Sequence, residues 1–293
     1  MPTHYLTGEE LNAKQTLALI DRAAELRAAP HVSNVLAGKS VALIFEKPST
    51  RTRVSFEAGV FELGGHPLIL RPDEMQLSRG ESPRDTALVL SRHVAAIGLR
   101  TGADEKIQDL AAHASVPVIN MLTRDHHPCQ ALADLLTLKQ EFGALDGLKL
   151  AYVGDGNNVA RSLAIVGALA GVQVSVAAPE GYQLEPVAGA QLTDDPYSAV
   201  KDANAVYTDV WVSMNDDADT AAARRKALAP YRIDDKLLAA AAPGAIALHC
   251  LPAHPDEEIT PAVLYGERQR IWDQAENRRH AQKALLETLT SGS

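Results

Sequence analysis

The chain has 293 residues, is 46% hydrophobic and 22% charged, and carries a formal net charge of -9. This is an ordinary globular composition, with material for one large domain or two of about 150 residues, and its acidity argues against a polyanionic partner such as nucleic acid. Two cysteines, Cys129 and Cys250, are too few for a secreted disulfide framework.

The first segment, MPTHYLTGEELNAKQ, has no basic stretch followed by an apolar core, so no signal peptide is expected. No apolar run approaches the ~20 residues needed to span a bilayer, and a cytoplasmic protein without membrane contact is the expectation. Apolar positions every three to four residues predict a helix over 8–29. VALIF, 41–45, predicts a buried strand, followed by a helix over 51–63 and a short strand over 66–71. Helices are expected over 84–92 and 104–114, and strands over 93–100 and 116–120. PCQALADLLTLKQEF, 128–142, predicts a long helix with Pro128 at its first position.

GALDG, 143–147, punctuates the pattern and marks the expected domain boundary. The alternation then restarts: strand over 148–155, helix over 158–171, strand over 172–179, short helix over 195–203, strand over 204–211. A helix over 233–241, a strand over 244–251 and a final helix over about 273–290 complete it. The fold class is therefore α/β: two similar domains, 1–142 and 143–293, each a mostly parallel sheet flanked by helices, with an interdomain cleft. In such sheets ligands bind beyond the carboxyl ends of the strands, and the chemistry is sought there.

Ser49-Thr50-Arg51-Thr52-Arg53 follows the first strand and opens a helix. Backbone N–H groups at a helix start, three hydroxyls and two guanidinium forks suit an anion. Capping and surface charge are the plainer explanation, and Arg51 and Arg53 point in different directions from a helix, so Arg53 reads as structural. The chain has no Gly-x-x-x-x-Gly-Lys-Ser/Thr run, which excludes a P-loop. Arg100 ends a strand and reads either as part of the same crevice or as a solvent anchor. His127 and Gln130 lie near one face at the start of the long helix and suit a carbonyl or amide. His126, His127 and Cys129 do not have the spacing of a zinc site, and no metal is expected.

In the second half, GDGNN has Gly154 and Gly156, but Val159 stands where a dinucleotide fingerprint needs its third glycine. Asn157 and Asn158 read equally as substrate contacts and as turn or cap residues. TDVWVSMNDDAD has four aspartates and no Lys or Arg, a loop better suited to an ammonium than to a second carboxylate. Asp209, nearest the strand end, is the better site candidate. Cys250 in HCLPAH is either a working thiol or a quiet hydrophobe.

The segments STRTR, GLR, HPCQ, GDGNN, DVWVSM, HCLPAH and AENRRHAQKALL occur in this order along nearly the whole chain. Together they resemble the aspartate/ornithine carbamoyltransferase family, and within it the ornithine-specific branch. The resemblance implies transfer of the carbamoyl group of carbamoyl phosphate to the δ-amine of L-ornithine, giving L-citrulline and phosphate, in arginine metabolism. It implies a carbamoyl-phosphate domain and an amino-acid domain, with the C-terminal helix returning to the first. A homotrimer, able to assemble further, is also implied, with no cofactor. Carried over by motif, Ser49, Thr50, Arg51, Thr52, Arg100, His127, Gln130 and Arg278 would bind carbamoyl phosphate, with Gln76 lent by a neighbouring subunit. Asn158, Asp209, Ser213, Met214, Cys250 and Leu251 would bind ornithine, and Arg100, His127, Asp209 and Cys250 would carry the catalysis. Two departures stand out: Asn215 follows Met214 where the family usually has glycine, and the segment after GYQLEP is short. Aspartate, acylated ornithine and putrescine are the rival acceptors.

Overall fold

The structure is a computed structural model that describes residues 3–30, 32–76, 80–212 and 218–291. It divides into two compact units: Met1–Leu136 with Glu276–Ser293, and Thr137–Ala275. The cut falls inside the long helix, a few residues before the expected boundary.

In the first unit, strands β1 (Ser40–Phe45), β2 (His66–Leu70), β3 (Ala96–Arg100) and β4 (Val118–Leu122) form a parallel sheet in the order β2-β1-β3-β4. Helices α1 (Ala13–Ala28), α2 (Thr50–Glu62), α3 (Pro83–Leu90), α4 (Asp104–His113) and the start of α5 (Pro128–Phe142) accompany it. Strands buried on both faces read as unbroken apolar runs, and Val41 to Ile44 are at most 1% exposed. One core joins Ala42, Ile44, Ile97 and Leu99 to Ala87, Ile107 and Leu110 from the helices.

The second unit repeats the plan. Strands β5 (Lys149–Val153), β6 (Gln173–Ala177), β7 (Ala190–Thr193), β8 (Ala205–Thr208) and β9 (Ile246–His249) run parallel in the order β7-β6-β5-β8-β9. Helices α6 (Asn158–Leu169), α7 (Pro196–Val200), α8 (Ala218–Leu228), α9 (Asp235–Ala239) and α10 (Pro261–Leu264) follow or separate them. The final helix, α11 (Ile271–Thr290), begins here and ends in the first unit. Its later turns are tied to that unit by Lys283, whose ammonium meets Glu62 at 2.6 Å, and by Arg22 with Glu287 at 2.6 Å.

Several boundaries differ from the periodic reading. The first helix starts at Ala13, because Asn12 and Gln15 form a capping box and Glu10 instead accepts the N–H groups of Leu6, Thr7 and Gly8. β3 starts at Ala96, since the N–H groups of His93 and Val94 still bond to Leu90 in the turn that closes α3. β7 and α8 were not foreseen. β7 is a short edge strand whose central Gln191 and Leu192 are exposed, so it has no apolar run. α8 is built largely of alanine, a strong helix former without an apolar stripe to reveal it. Among the described residues no helix is long and apolar enough to cross a membrane.

Candidate active site

Each unit gathers polar side chains at the carboxyl ends of its strands. In the first unit the gathering begins at Ser49. Its extended backbone (φ -160°, ψ 108°) makes it the N-cap of α2, and its Oγ accepts the Thr52 N–H at 3.3 Å. Thr50, Arg51 and Thr52 then form the first turn, where the positive end of a helix dipole favours an anion. Thr50 is exposed, Ser49 and Arg51 are half-buried, and Thr52 is buried. Arg53 turns away to Glu57 at 3.3 Å, the structural part expected of it.

The parallel register sets Phe45 beside Arg100, so β3 delivers its terminal arginine next to the segment that leads from β1 into α2. Arg100 Nη1 donates to Thr52 Oγ1 at 3.4 Å. Arg278 of α11, 2% exposed, donates to the same oxygen at 3.0 Å through Nη2, and through Nη1 to Gln130 Oε1. Its Nη1 also lies 3.5 Å from His127 Nε2. A guanidinium only donates, so Nε2 is the acceptor and the imidazole proton belongs on Nδ1. Burial first, then the charges of Arg278, Arg100 and Arg51, hold the His127 pKa well below its usual value. The ring is therefore neutral.

The turn before His127 is braced by Asp104. Its carboxylate accepts from Thr123 Oγ1 at 2.5 Å and from the Asp125 N–H at 3.1 Å, and meets His126 Nδ1 at 3.1 Å. Burial works against the charged form of Asp104, but these bonds outweigh it and lower its pKa. Asp104 was not singled out in the sequence; its place at the start of a helix, one helix and one strand away in the chain from its partners, carries no local signal. His126 is thereby a structural histidine, and Cys129, fully buried with its thiol pushed up to about 12 by burial, is inert. Gln76 is exposed, two residues beyond the 3-10 helix Pro72–Glu74, and its carbonyl accepts the Glu81 N–H.

In the second unit the adjacent strands β5, β8 and β9 lead into Asn157, Asp209 and Cys250 respectively. Asp209, 8% exposed, accepts three donors: Asn157 Nδ2, Cys250 Sγ and its neighbour's N–H at Val210, each at 2.8 Å. Asn157 is held in turn. Its Oδ1 accepts from Tyr152 Oη at 3.1 Å and caps α6 through the N–H groups of Val159 and Ala160. Burial, then the charge of Asp209, keeps Tyr152 a phenol. Asn157 thus serves as both cap and site support, while Asn158 occupies the first position of α6, half-buried. Gly156 explains the second glycine of GDGNN: a Cβ there would stand 2.2 Å from Leu184 N, so the glycine admits the 182–184 backbone. Ser213, Met214 and Asn215 lie outside the described residues.

The HCLP segment has its own support. His249 Nδ1 accepts the Leu251 N–H at 2.8 Å, and its Nε2 reaches Glu258 Oε1 at 3.1 Å, both side chains being fully buried. The Leu251 backbone has φ +60°, and the preceding Cys250 donates its thiol to Asp209. Glu258 was missed because it acts on the loop's path through His249, and a residue nine positions from its partner carries no motif. Asp209, His249 and Cys250 offer ligand atoms within 4.8 Å of one another, but both ring nitrogens of His249 already serve Leu251 and Glu258.

This arrangement has counterparts among known proteins. A family model described as aspartate/ornithine carbamoyltransferase, carbamoyl-P binding domain, matches residues 3–140, and its companion, the Asp/Orn binding domain, matches residues 146–289. The chain is 52% identical to the ornithine carbamoyltransferase of Acidothermus cellulolyticus, over 99% of this chain and 97% of the relative. It is 47% identical to that of Bacillus subtilis, over 97% and 92%. Among solved structures, the ornithine carbamoyltransferase from Pyrococcus furiosus superposes with a TM-score of 0.94 at 44% identity, covering 100% of this chain and 98% of that one. The one from Thermus thermophilus gives 0.92 at 43% identity, covering 99% of each. With both family models matched and near-full-length relatives well above 30% identity, the chain belongs to the aspartate/ornithine carbamoyltransferase family.

Proposed function

We propose that the protein transfers the carbamoyl group of carbamoyl phosphate to the δ-amine of L-ornithine, releasing L-citrulline and phosphate, as a step of arginine metabolism. The observation that carries this reading is the convergence of Arg100 and Arg278 on Thr52 at the start of α2, with His127 and Gln130 against the same Arg278 guanidinium. Such a cluster suits a ligand with a phosphate at one end and a carbonyl at the other.

Residues 1–142 would provide the carbamoyl-phosphate domain and 143–293 the ornithine domain, with the C-terminal helix serving the first. Ser49, Thr50, Arg51 and Thr52 hold the phosphate through side chains and the helix start. Arg100, the His127 N–H and the Thr52 hydroxyl lie against the carbonyl oxygen, where negative charge grows as the amine adds. A neutral His127 suits this task, since it donates a hydrogen bond without surrendering a proton. Gln130 and Arg278 complete the pocket, and Gln76 is lent to a neighbouring subunit. On the acceptor side Asn158, Ser213, Met214 and Leu251 bind the amino acid, while Asp209 and Cys250 orient it. An alkyl amine has a pKa near ~10 and is mostly protonated at neutral pH, so orientation must favour the small neutral fraction that attacks. The protein acts as a cytoplasmic homotrimer, without a cofactor. The exposed Val54 and Phe61, 59% and 72% exposed and seven residues apart on α2, are apolar surface that another copy would cover; light scattering gives the mass directly.

The deciding experiment is phosphate release from carbamoyl phosphate with ornithine, aspartate, N-acetylornithine and putrescine compared side by side. Ornithine should be strongly preferred, and preference for any other acceptor would overturn the assignment.

A further inference from the structure

Asp134 lies on α5, one turn beyond Gln130, and is fully buried. Aspartate is a poor choice for a helix interior, and a carboxylate away from water is costly unless hydrogen-bonded. Its Oδ1 accepts from Gln130 Nε2 at 2.8 Å. An amide side chain can face either way, whereas the Asp134 oxygen that meets it accepts and a guanidinium only donates. Asp134 therefore draws the NH2 end of Gln130 to itself and turns Oε1 to Arg278, whose Nη1 donates to it. The other arm of Arg278 donates to Thr52 Oγ1 at 3.0 Å, and Arg100 adds a second donor there at 3.4 Å. A hydroxyl oxygen that accepts twice still has its own proton to give.

We infer that Asp134 is a positioning residue: acting through Gln130 and Arg278, it sets the direction of this hydrogen-bond chain so that Thr52 offers its hydroxyl as a donor. The inference rests on the reading of Thr52 as part of the carbamoyl-phosphate pocket. Reversing the Gln130 amide would set NH2 against the guanidinium, push Arg278 off Thr52 and leave the hydroxyl free to spend its proton elsewhere. Asp134 needs no contact with substrate to have this effect.

The test combines Asp134→Asn, which is nearly isosteric, with Gln130→Ala and the double variant, assayed by citrulline formation at saturating substrates. Asp134→Asn should lower kcat by about tenfold or more while the ornithine KM stays within about twofold. In the Gln130→Ala background the same change should cost no more than about twofold, because the chain is already cut. A folded Asp134→Asn enzyme with kcat within about twofold of the parent, or losses that multiply in the double variant, would overturn the proposal. Neutron diffraction of the unsubstituted protein gives an answer that depends on neither folding of the variants nor activity. The Gln130 NH2 should face Asp134, and the Thr52 proton should point away from both guanidinium groups; the reverse arrangement refutes the chain. Absence of citrulline with the unsubstituted enzyme would instead sink the functional assignment, and the neutron result would still decide the relay.

Discussion

Asp209→Asn is the most informative single substitution, because the surroundings leave the new amide no comfortable orientation. Asp209 accepts from Asn157 Nδ2 on one oxygen, and from Cys250 Sγ and the Val210 N–H on the other. If the introduced NH2 replaces Oδ2, it meets the Nδ2 of Asn157. That amide cannot turn over, since its own Oδ1 accepts from Tyr152, Val159 and Ala160. If the NH2 replaces Oδ1, it meets a backbone N–H that has no alternative. Either way a buried donor loses its acceptor, which costs about 1–3 kcal/mol. Loss of the charge also weakens the grip on the amino acid. A charge-assisted hydrogen bond contributes about 1.5–3 kcal/mol, so kcat/KM for ornithine should fall about 10- to 150-fold. Denaturant unfolding and steady-state kinetics with each substrate varied in turn measure the two effects separately. The KM for carbamoyl phosphate should change little, because the contacts proposed for it lie in the other unit. A variant with stability within about 0.5 kcal/mol of the parent and unchanged kcat/KM would refute the account of Asp209.

Three further outcomes are expected. Arg100→Ala should cost about a hundred- to a thousandfold in turnover, the usual loss on removing one preorganised donor, with the far-ultraviolet circular dichroism unchanged; near-normal turnover would remove Arg100 from its role. His127 is held neutral in the folded chain, so below its unfolded pKa near ~6.5 the unfolded state takes up a proton that the folded state refuses. Stability should therefore fall as the pH drops below that value, and His127→Gln should lose less between neutral and mildly acid pH than the parent in matched chemical denaturations. Gly156→Ala would place a Cβ 2.2 Å from the Leu184 backbone nitrogen, and a marked drop in melting temperature is expected. An unchanged melt would mean that the 182–184 strand of chain is looser than its hydrogen bond from Gly156 to Tyr182 indicates.

The two parallel sheets were legible because strands buried on both faces must be apolar throughout, and VALIF, AIGL and KLAYV show it locally. The residues at their ends were legible for the same reason: an abrupt change from apolar to polar or charged marks where each strand leaves the core. β7 and α8 escaped because an exposed edge strand and an alanine-rich helix need no such pattern. Motif resemblance supplied what periodicity could not, the matching of Arg278 to residues more than a hundred positions away.

What the sequence by itself determined is the order of the elements with an apolar pattern, the location of polar residues at strand ends and the family. Those follow from local periodicity and from motifs, both of which are written in neighbouring positions. Tertiary structure decided how these residues share their hydrogen bonds: that Asn157 supports Asp209, that His126 braces a turn while His127 stands neutral among three arginines, and that Asp134 and Gln130 direct Arg278 toward Thr52. The physical reason is that a donor's partner is chosen by geometry within about 3 Å, and distances of that kind between remote segments exist only once the chain has folded.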